Sequence, residues 1–252
     1  MLKAEFSKTW KDFRLDIKLE LEKGVGVLFG YSGSGKTQTL RAITGLMTPD
    51  EGTIVCRDQV FFDSDKNVNL SPQKRRGAMV FQEHNLFPHM SVRQNILFGA
   101  PRDVSKEAKE NALQEILKRY RLTNVIDKYP GEISGGQKQR CAFARAMISK
   151  PDFLCLDEPF NALDNPLRTA MRDCIGHIIH ELEIPVLLVT HDIFEAISLA
   201  DKLFIYMHGE IVQQGNTEEI LRNPSNEAVS ALVSVTHFMD KLNSIKNSCK
   251  IS

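Results

Sequence analysis

Residues 30–37, Gly30-Tyr31-Ser32-Gly33-Ser34-Gly35-Lys36-Thr37, fit the pattern G-x-x-x-x-G-K-[ST]. In that pattern a glycine-rich loop between strand and helix curls its N–H groups around phosphate oxygens. The flanks have the required character: Val25–Phe29 is a short apolar run suited to a buried strand, and Thr39–Leu46 places apolar residues at helical spacing. Strand, loop and helix must therefore meet so that the positive end of the helix faces an anion. Gly33 and Gly35 supply backbone freedom, Lys36 a point charge, and Thr37 a hydroxyl for Mg²⁺. The expected ligand is ATP or GTP. A glycine-rich turn with an accidental Lys-Thr is the competing reading, and the flanking strand and helix argue against it.

A second apolar run, Phe153-Leu154-Cys155-Leu156, ends in Asp157-Glu158. A buried strand that delivers a carboxylate at its end is what a phosphate-loop enzyme uses to hold Mg²⁺, so Asp157 is the candidate metal ligand. Glu158 is expected to alternate to the other side of the strand end, where it could orient or deprotonate an attacking water. Two acids after an apolar strand also arise by chance, and it is the phosphate loop that favours the functional reading. Upstream lies Glu132-Ile133-Ser134-Gly135-Gly136-Gln137. Ser134 is a good helix N-cap and the two glycines expose N–H groups, which makes a second anion-binding element or simply a capped helix.

Composition narrows the class. The 252 residues carry 32 basic and 32 acidic side chains, so no excess of positive charge points to nucleic acid as a partner. Five cysteines, Cys56, Cys141, Cys155, Cys174 and Cys249, are scattered and read as reduced packing residues of a cytosolic chain. No apolar stretch approaches the roughly 20 residues of a membrane span, and the N-terminus lacks a signal segment. The chain is expected to be soluble by itself, with any membrane part supplied by another subunit.

Strand-like segments at Gly52–Cys56, Gln59–Phe62 and Ala78–Phe81 come early. Helical patterns follow at Val92–Phe98, Lys106–Tyr120 and Gln137–Ile148. Later, the runs Phe153–Leu156, Val186–Val189 and Leu203–Met207 suit buried parallel strands, with helical stretches 166–182 and 192–200 between them. This order predicts one α/β domain over 1–252: a nucleotide-binding core of residues 1–82 and 152–252, interrupted by a mostly helical subdomain, 83–151. Asn223-Pro224-Ser225-Asn226 marks a break before a final helical tail.

Taken together, these segments resemble the ATPase subunit of an ATP-binding cassette (ABC) transporter. The resemblance rests on the Walker A loop Gly30–Thr37, a Q-loop glutamine at Gln82, the signature Ile133-Ser134-Gly135-Gly136-Gln137 and the Walker B strand ending in Asp157-Glu158. It extends to a D-loop at Asn161-Ala162-Leu163-Asp164 and a switch histidine at His191, and it covers most of the chain. Two positions depart from the family pattern: Ile133 stands where Leu is usual, a mild change at an apolar position, and Asn161 stands where Ser is commoner.

The resemblance implies a P-loop NTPase fold, Mg²⁺ and ATP as cofactors, and a homodimer. In that dimer each ATP lies between the Walker A loop of one chain and the signature of the other. It also implies that His191 contacts the γ-phosphate, that Gln82 touches Mg²⁺ or the attacking water, and that Trp10, or else Phe13, stacks on adenine. Trp10 could instead be a core residue. The remaining histidines match no catalytic position.

A narrower likeness runs through Leu70-Ser71-Pro72-Gln73-Lys74-Arg75-Arg76, Phe81-Gln82 and Leu86-Phe87-Pro88-His89-Met90-Ser91-Val92. It is similar to importer ATPases and, with Phe6-Ser7-Lys8-Thr9, most similar to the molybdate type. That implies a peripheral subunit on the cytoplasmic face of the inner membrane, joined to two transmembrane permease subunits. It would be served indirectly by an extracytoplasmic solute-binding protein, with molybdate or tungstate carried and sulfate or a sugar as alternatives. Molybdate-type subunits often add a C-terminal oxyanion-sensing domain; the sequence ends at Ser252, so feedback through such a domain is not expected. A soluble, non-transport ABC ATPase would normally show coiled-coil insertions or fused cassettes. A small-molecule kinase would need neither Ser134–Gln137 nor His191.

Overall fold

The apolar runs Val25–Phe29, Phe153–Leu156, Val186–Val189 and Leu203–Met207 become strands of one parallel block. In the computed structural model, which describes residues 1–83, 85–161 and 165–234, this block comprises β3 (Gly24–Gly30), β7 (Gly77–Val80), β8 (Phe153–Asp157), β9 (Pro185–Thr190) and β10 (Lys202–Met207). β8 and β9 are buried at every position, as strands covered on both faces must be. The strands lie in the order β10-β3-β9-β8-β7 and pair in parallel.

An antiparallel block continues the same sheet through β1 (Leu2–Trp10), β2 (Phe13–Leu21), β4 (Glu51–Cys56), β5 (Gln59–Asp63) and the short β6 (Val68–Asn69). β11 (Glu210–Gly215) joins the two blocks, antiparallel to β10 and parallel to β2. The sequence reading did not identify β1, β2 or β11 as elements. The signal was present in β2, where Phe-Arg-Leu-Asp-Ile-Lys-Leu-Glu-Leu alternates residue by residue and every second side chain from Leu15 is buried.

Two cores cover the two faces of the sheet. Val25, Val27 and Phe29 of β3 face one core with the helices that follow β7 and β8, and Leu28 faces the other with Leu40 and Ile43 of α1 (Lys36–Thr44) and with β1 and β2. Between β7 and β8 the described residues form α2 (Val92–Phe98), α3 (Lys106–Arg119) and α4 (Gly135–Met147) with short 3₁₀ turns. Their buried residues Ile96, Leu117 and Phe143 share the first core with the parallel strands. After β8 come α5 (Asn165–His180), α6 (Ile193–Leu199), α7 (Thr217–Arg222) and α8 (Glu227–Val233). The chain beyond 234, where the helical tail was expected to continue, lies outside the described residues.

The importer-like block around residue 75 has a structural use. Arg75 is 1% exposed, and its guanidinium donates to the carbonyls of Ala42 and Ile43 at 2.7 and 2.9 Å, to Leu70 at 2.9 Å and to Asn69 Oδ1 at 3.1 Å. It therefore satisfies the orphan carbonyls at the C-terminal end of α1, where a positive charge is favoured. Burial pulls its pKa down to about 10, which leaves it charged at neutrality.

Candidate functional site

Sheet order and register bring the site together. Phe29 of β3 pairs with Thr190 of β9, and Val189 pairs with Asp157 of β8. The loop after β3, the Asp157 carboxylate and His191 thus leave the C-terminal ends of three adjacent strands, the edge at which open α/β sheets bind ligands.

The phosphate loop turns into α1 at Gly35, whose φ of 103° lies in the left-handed region. A Cβ there would come within 2.5 Å of Leu15 and 3.2 Å of the Phe13 ring. Only glycine fits both the turn and the close approach. The helix begins at Lys36 and ends at Thr44, earlier at both ends than the apolar spacing suggested, because loop and helix share Lys36 and Thr37. The Lys36 ammonium folds back onto the carbonyls of Gly30 and Tyr31, each at 2.8 Å. Burial lowers its pKa, while the carboxylates of Glu158 and Asp157 push it back up.

Thr37 Oγ1 donates to Asp157 Oδ1 at 2.8 Å. A hydroxyl and a carboxylate in contact are two hard oxygen donors, the set that suits Mg²⁺ shared with phosphate oxygens. Burial raises the Asp157 pKa, the Thr37 hydrogen bond lowers it and the neighbouring Glu158 raises it again.

Glu158 departs from expectation in its backbone. The strand stops at Asp157, and Glu158 adopts a left-handed φ of 44° with its N–H bound to the Val189 carbonyl at 3.0 Å. Strand alternation therefore does not set its direction. The turn aims it into a cavity of about 340 Å³ that Phe13, Gly35, Lys36 and Thr37 also line. Its two oxygens are both met: Asn161 Nδ2 donates to Oε2 at 2.8 Å, and His191 Nδ1 lies 3.2 Å from Oε1. Asn161 is the first residue of the segment that the resemblance reads as a D-loop; Ala162, Leu163 and Asp164 lie outside the described residues.

A second cavity, of about 530 Å³, adjoins the first, sharing Phe13, Ser32 and Gly33, and reaches Tyr31, His208 and Ala231 of α8. Phe13 lines both cavities. Trp10, its cross-strand partner at the β1–β2 turn, lines neither, and its ring centroid is 5.8 Å from that of Phe13. Gln82 is exposed on the loop after β7, one strand beyond β8, and is not among the cavity's lining residues.

The signature segment is locally well built. Ser134 caps α4, its hydroxyl accepting from Gln137 N at 3.3 Å while Gln137 Oε1 accepts from Ser134 N at 2.9 Å, a reciprocal capping box. Ile133 is buried, as its apolar character required. Ser134, Gly135, Gly136 and Gln137 line neither cavity. The fully buried Gln139 on α4 donates to the carbonyl of Pro159, next to Glu158. Gln139, Thr190 and Glu195 were not singled out from the sequence. Glu195 left one trace, the single acid in the mostly apolar helix Ile193–Leu199.

Comparisons with known proteins bear on the family and the fold. A family model described as "ABC transporter" matches residues 15–161. The chain is 37% identical over 224 residues to the molybdenum import ATP-binding protein ModC of Paramagnetospirillum magneticum, covering 89% of this chain and 61% of that one. It is 40% identical over 230 residues to the sulfate/thiosulfate import ATP-binding protein CysA 2 of Agrobacterium fabrum, covering 88% and 65% respectively. The chain therefore spans less than two thirds of the length of these relatives. Among solved structures, the dimeric ATP-binding cassette MJ0796 bound to ADP and Pi superposes with a TM-score of 0.70 at 27% identity, over 86% of this chain and 98% of that one.

Proposed function

The chain belongs to the ABC transporter family, and from that premise we propose that it is the ATP-hydrolysing subunit of an importer that takes up an oxyanion, molybdate or tungstate. The observation that carries the hydrolytic part is the convergence of three strand ends. The Lys36 ammonium, the Thr37–Asp157 oxygen pair and a Glu158 carboxylate held by His191 and Asn161 all come to one cavity edge. We keep the division into a core, 1–82 and 152–252, and a helical subdomain, 83–151, as part of this reading.

In this proposal the loop N–H groups of Gly30–Thr37 and the Lys36 ammonium hold the phosphates, and Thr37 and Asp157 hold Mg²⁺. Phe13, backed by Trp10, offers the stacking face for the base. The bound nucleotide supplies a phosphoanhydride bond whose hydrolysis releases the driving free energy. Glu158 orients the attacking water and accepts its proton, and His191 keeps the carboxylate in place. Gln82, exposed on its loop, would touch the water or metal. Ser134–Gln137, which present a capped helix N-terminus away from the chain's own cavities, would meet nucleotide held by a second copy. The dimeric, ADP- and Pi-bound relative supports pairing of two copies.

Among the described residues, no helix is long and apolar enough to cross a membrane. As with the import ATP-binding relatives, this reading puts the chain at the cytoplasmic face of the membrane, attached to two permease subunits, with a solute-binding protein acting from the other side and no nucleic acid as partner. Several molybdenum import relatives support molybdate. The 40% identity to a sulfate/thiosulfate import protein keeps sulfate as the second reading. In vesicles reconstituted with permease and binding protein, molybdate or tungstate should stimulate ATP hydrolysis more than sulfate does, and Lys36→Ala should abolish it. Stimulation by sulfate alone would move the substrate assignment; hydrolysis surviving Lys36→Ala would remove the loop from the mechanism.

A further inference from the structure

Behind His191 lies a buried acid that the hydrolytic reading does not use. Glu195 sits in the first turn of α6 and is 4% exposed, beside Thr190 at 2%. The Thr190 hydroxyl donates to Glu195 Oε2 at 2.6 Å and accepts from the Asp192 N–H at 3.0 Å. A hydroxyl has one proton, so committing it to Glu195 leaves a lone pair aimed at Asp192. Asp192 in turn caps α6 through Phe194 N at 2.8 Å and stands 3.9 Å from the Arg168 guanidinium. Both neighbours of His191 in the chain are thereby tied down, while its own ring is half-exposed and reaches Glu158 at 3.2 Å.

These groups line one small cleft of about 10 Å³, shared by Glu158, Asn161, Arg168, Thr190, His191, Asp192 and Glu195. That is room for about one water, and at 4% exposure the Glu195 side chain is largely withdrawn from bulk solvent. Burying a carboxylate is costly unless it is well partnered, and a helix that needed only to pack on the sheet would be served better by an apolar residue at this position.

We propose that Glu195, acting through the Thr190 hydroxyl, is a positioning residue for hydrolysis: it fixes the backbone of residues 190–192 so that the His191 ring stays on the Glu158 carboxylate. The inference rests on the reading of Glu158 and His191 as partners in ATP hydrolysis. Glu195 itself touches no reacting atom.

A double-mutant cycle on the ATPase of the reconstituted transporter tests it. Glu195→Ala and Thr190→Val should each lower kcat by about tenfold or more, the scale of losing an orienting outer-shell partner, with KM for ATP within about twofold. Glu195→Gln and Thr190→Ser, which preserve the hydrogen-bonding groups, should retain more of kcat than their partners Glu195→Ala and Thr190→Val. In a His191→Ala background, Glu195→Ala should cost less than about twofold further, because the side chain it positions is gone. Equal losses in both backgrounds, or undiminished kcat in both Glu195→Ala and Thr190→Val, would overturn the positioning role alone. Full turnover in His191→Ala by itself would overturn the histidine's part and the positioning role with it. Should Glu195→Ala fail to fold, Thr190→Val replaces a hydroxyl by a methyl of the same shape and decides the matter by the same cycle.

Discussion

Replacing Glu158 by glutamine separates binding from chemistry. The Glu158 side chain is 19% exposed, with Oε2 on Asn161 Nδ2 and Oε1 on His191 Nδ1. Asn161 can only donate through Nδ2, so the glutamine oxygen must face it and the new NH₂ must turn to His191, whose ring nitrogen accepts when the proton sits on Nε2. The side chain therefore stays in place with both contacts kept, and what disappears is the negative charge and the ability to take a proton. Loss of a positioned base lowers turnover by about 10² to 10⁴, equivalent to about 2.7–5.4 kcal/mol of transition-state stabilisation at 1.36 kcal/mol per tenfold. Binding should move the other way. Glu158 lies on the same cavity as Lys36 and stabilises its charged form, so removing the carboxylate leaves that ammonium free to meet an anionic ligand with less competition. The expected result is a collapse of phosphate release in a steady-state assay, with affinity for a fluorescent ATP analogue equal to wild type or a few-fold tighter. Turnover within about threefold of wild type would take Glu158 out of the mechanism. An affinity loss as large as the turnover loss would show instead that it binds the ground state.

Two further outcomes concern stability. Arg75→Met leaves the carbonyls of Ala42, Ile43 and Leu70 buried without their donor and should lower unfolding free energy by about 3–5 kcal/mol in urea titration; a loss below about 1 kcal/mol would mean that α1 does not depend on this guanidinium. For Glu195, burial raises the folded pKa above its ordinary value of 4.5. The native state then holds the proton longer than the unfolded chain, and the wild-type protein loses stability as pH rises from about 4.5 through the raised value. Glu195→Gln carries no such penalty, so its melting temperature relative to wild type should be higher at pH 8 than at pH 4.5; a difference independent of pH would contradict burial of the charged group.

Short-range patterns carried much of this molecule. The strand-loop-helix at 24–44, the capping box of Ser134 and Gln137, and the apolar strands ending at Asp157 and Thr190 are each readable within a few residues, because helix and strand periodicity and cap chemistry are local properties. The order of the motifs along the chain likewise points to the family. The left-handed turn at Glu158 was not readable in this way, since its N–H is held by Val189, a residue of another strand. Nor was the choice between Trp10 and Phe13, neighbours across one hairpin, of which Phe13 meets the loop because Gly35 leaves it room. Gln82 follows β7, one strand beyond β8, and does not line the cavity, while Glu195 meets Thr190 because α6 packs back on β9. A sequence states which face of each element is apolar. Which strand ends become neighbours is settled by sheet order and register across more than a hundred residues, where the contacts are made by side chains that no local pattern relates.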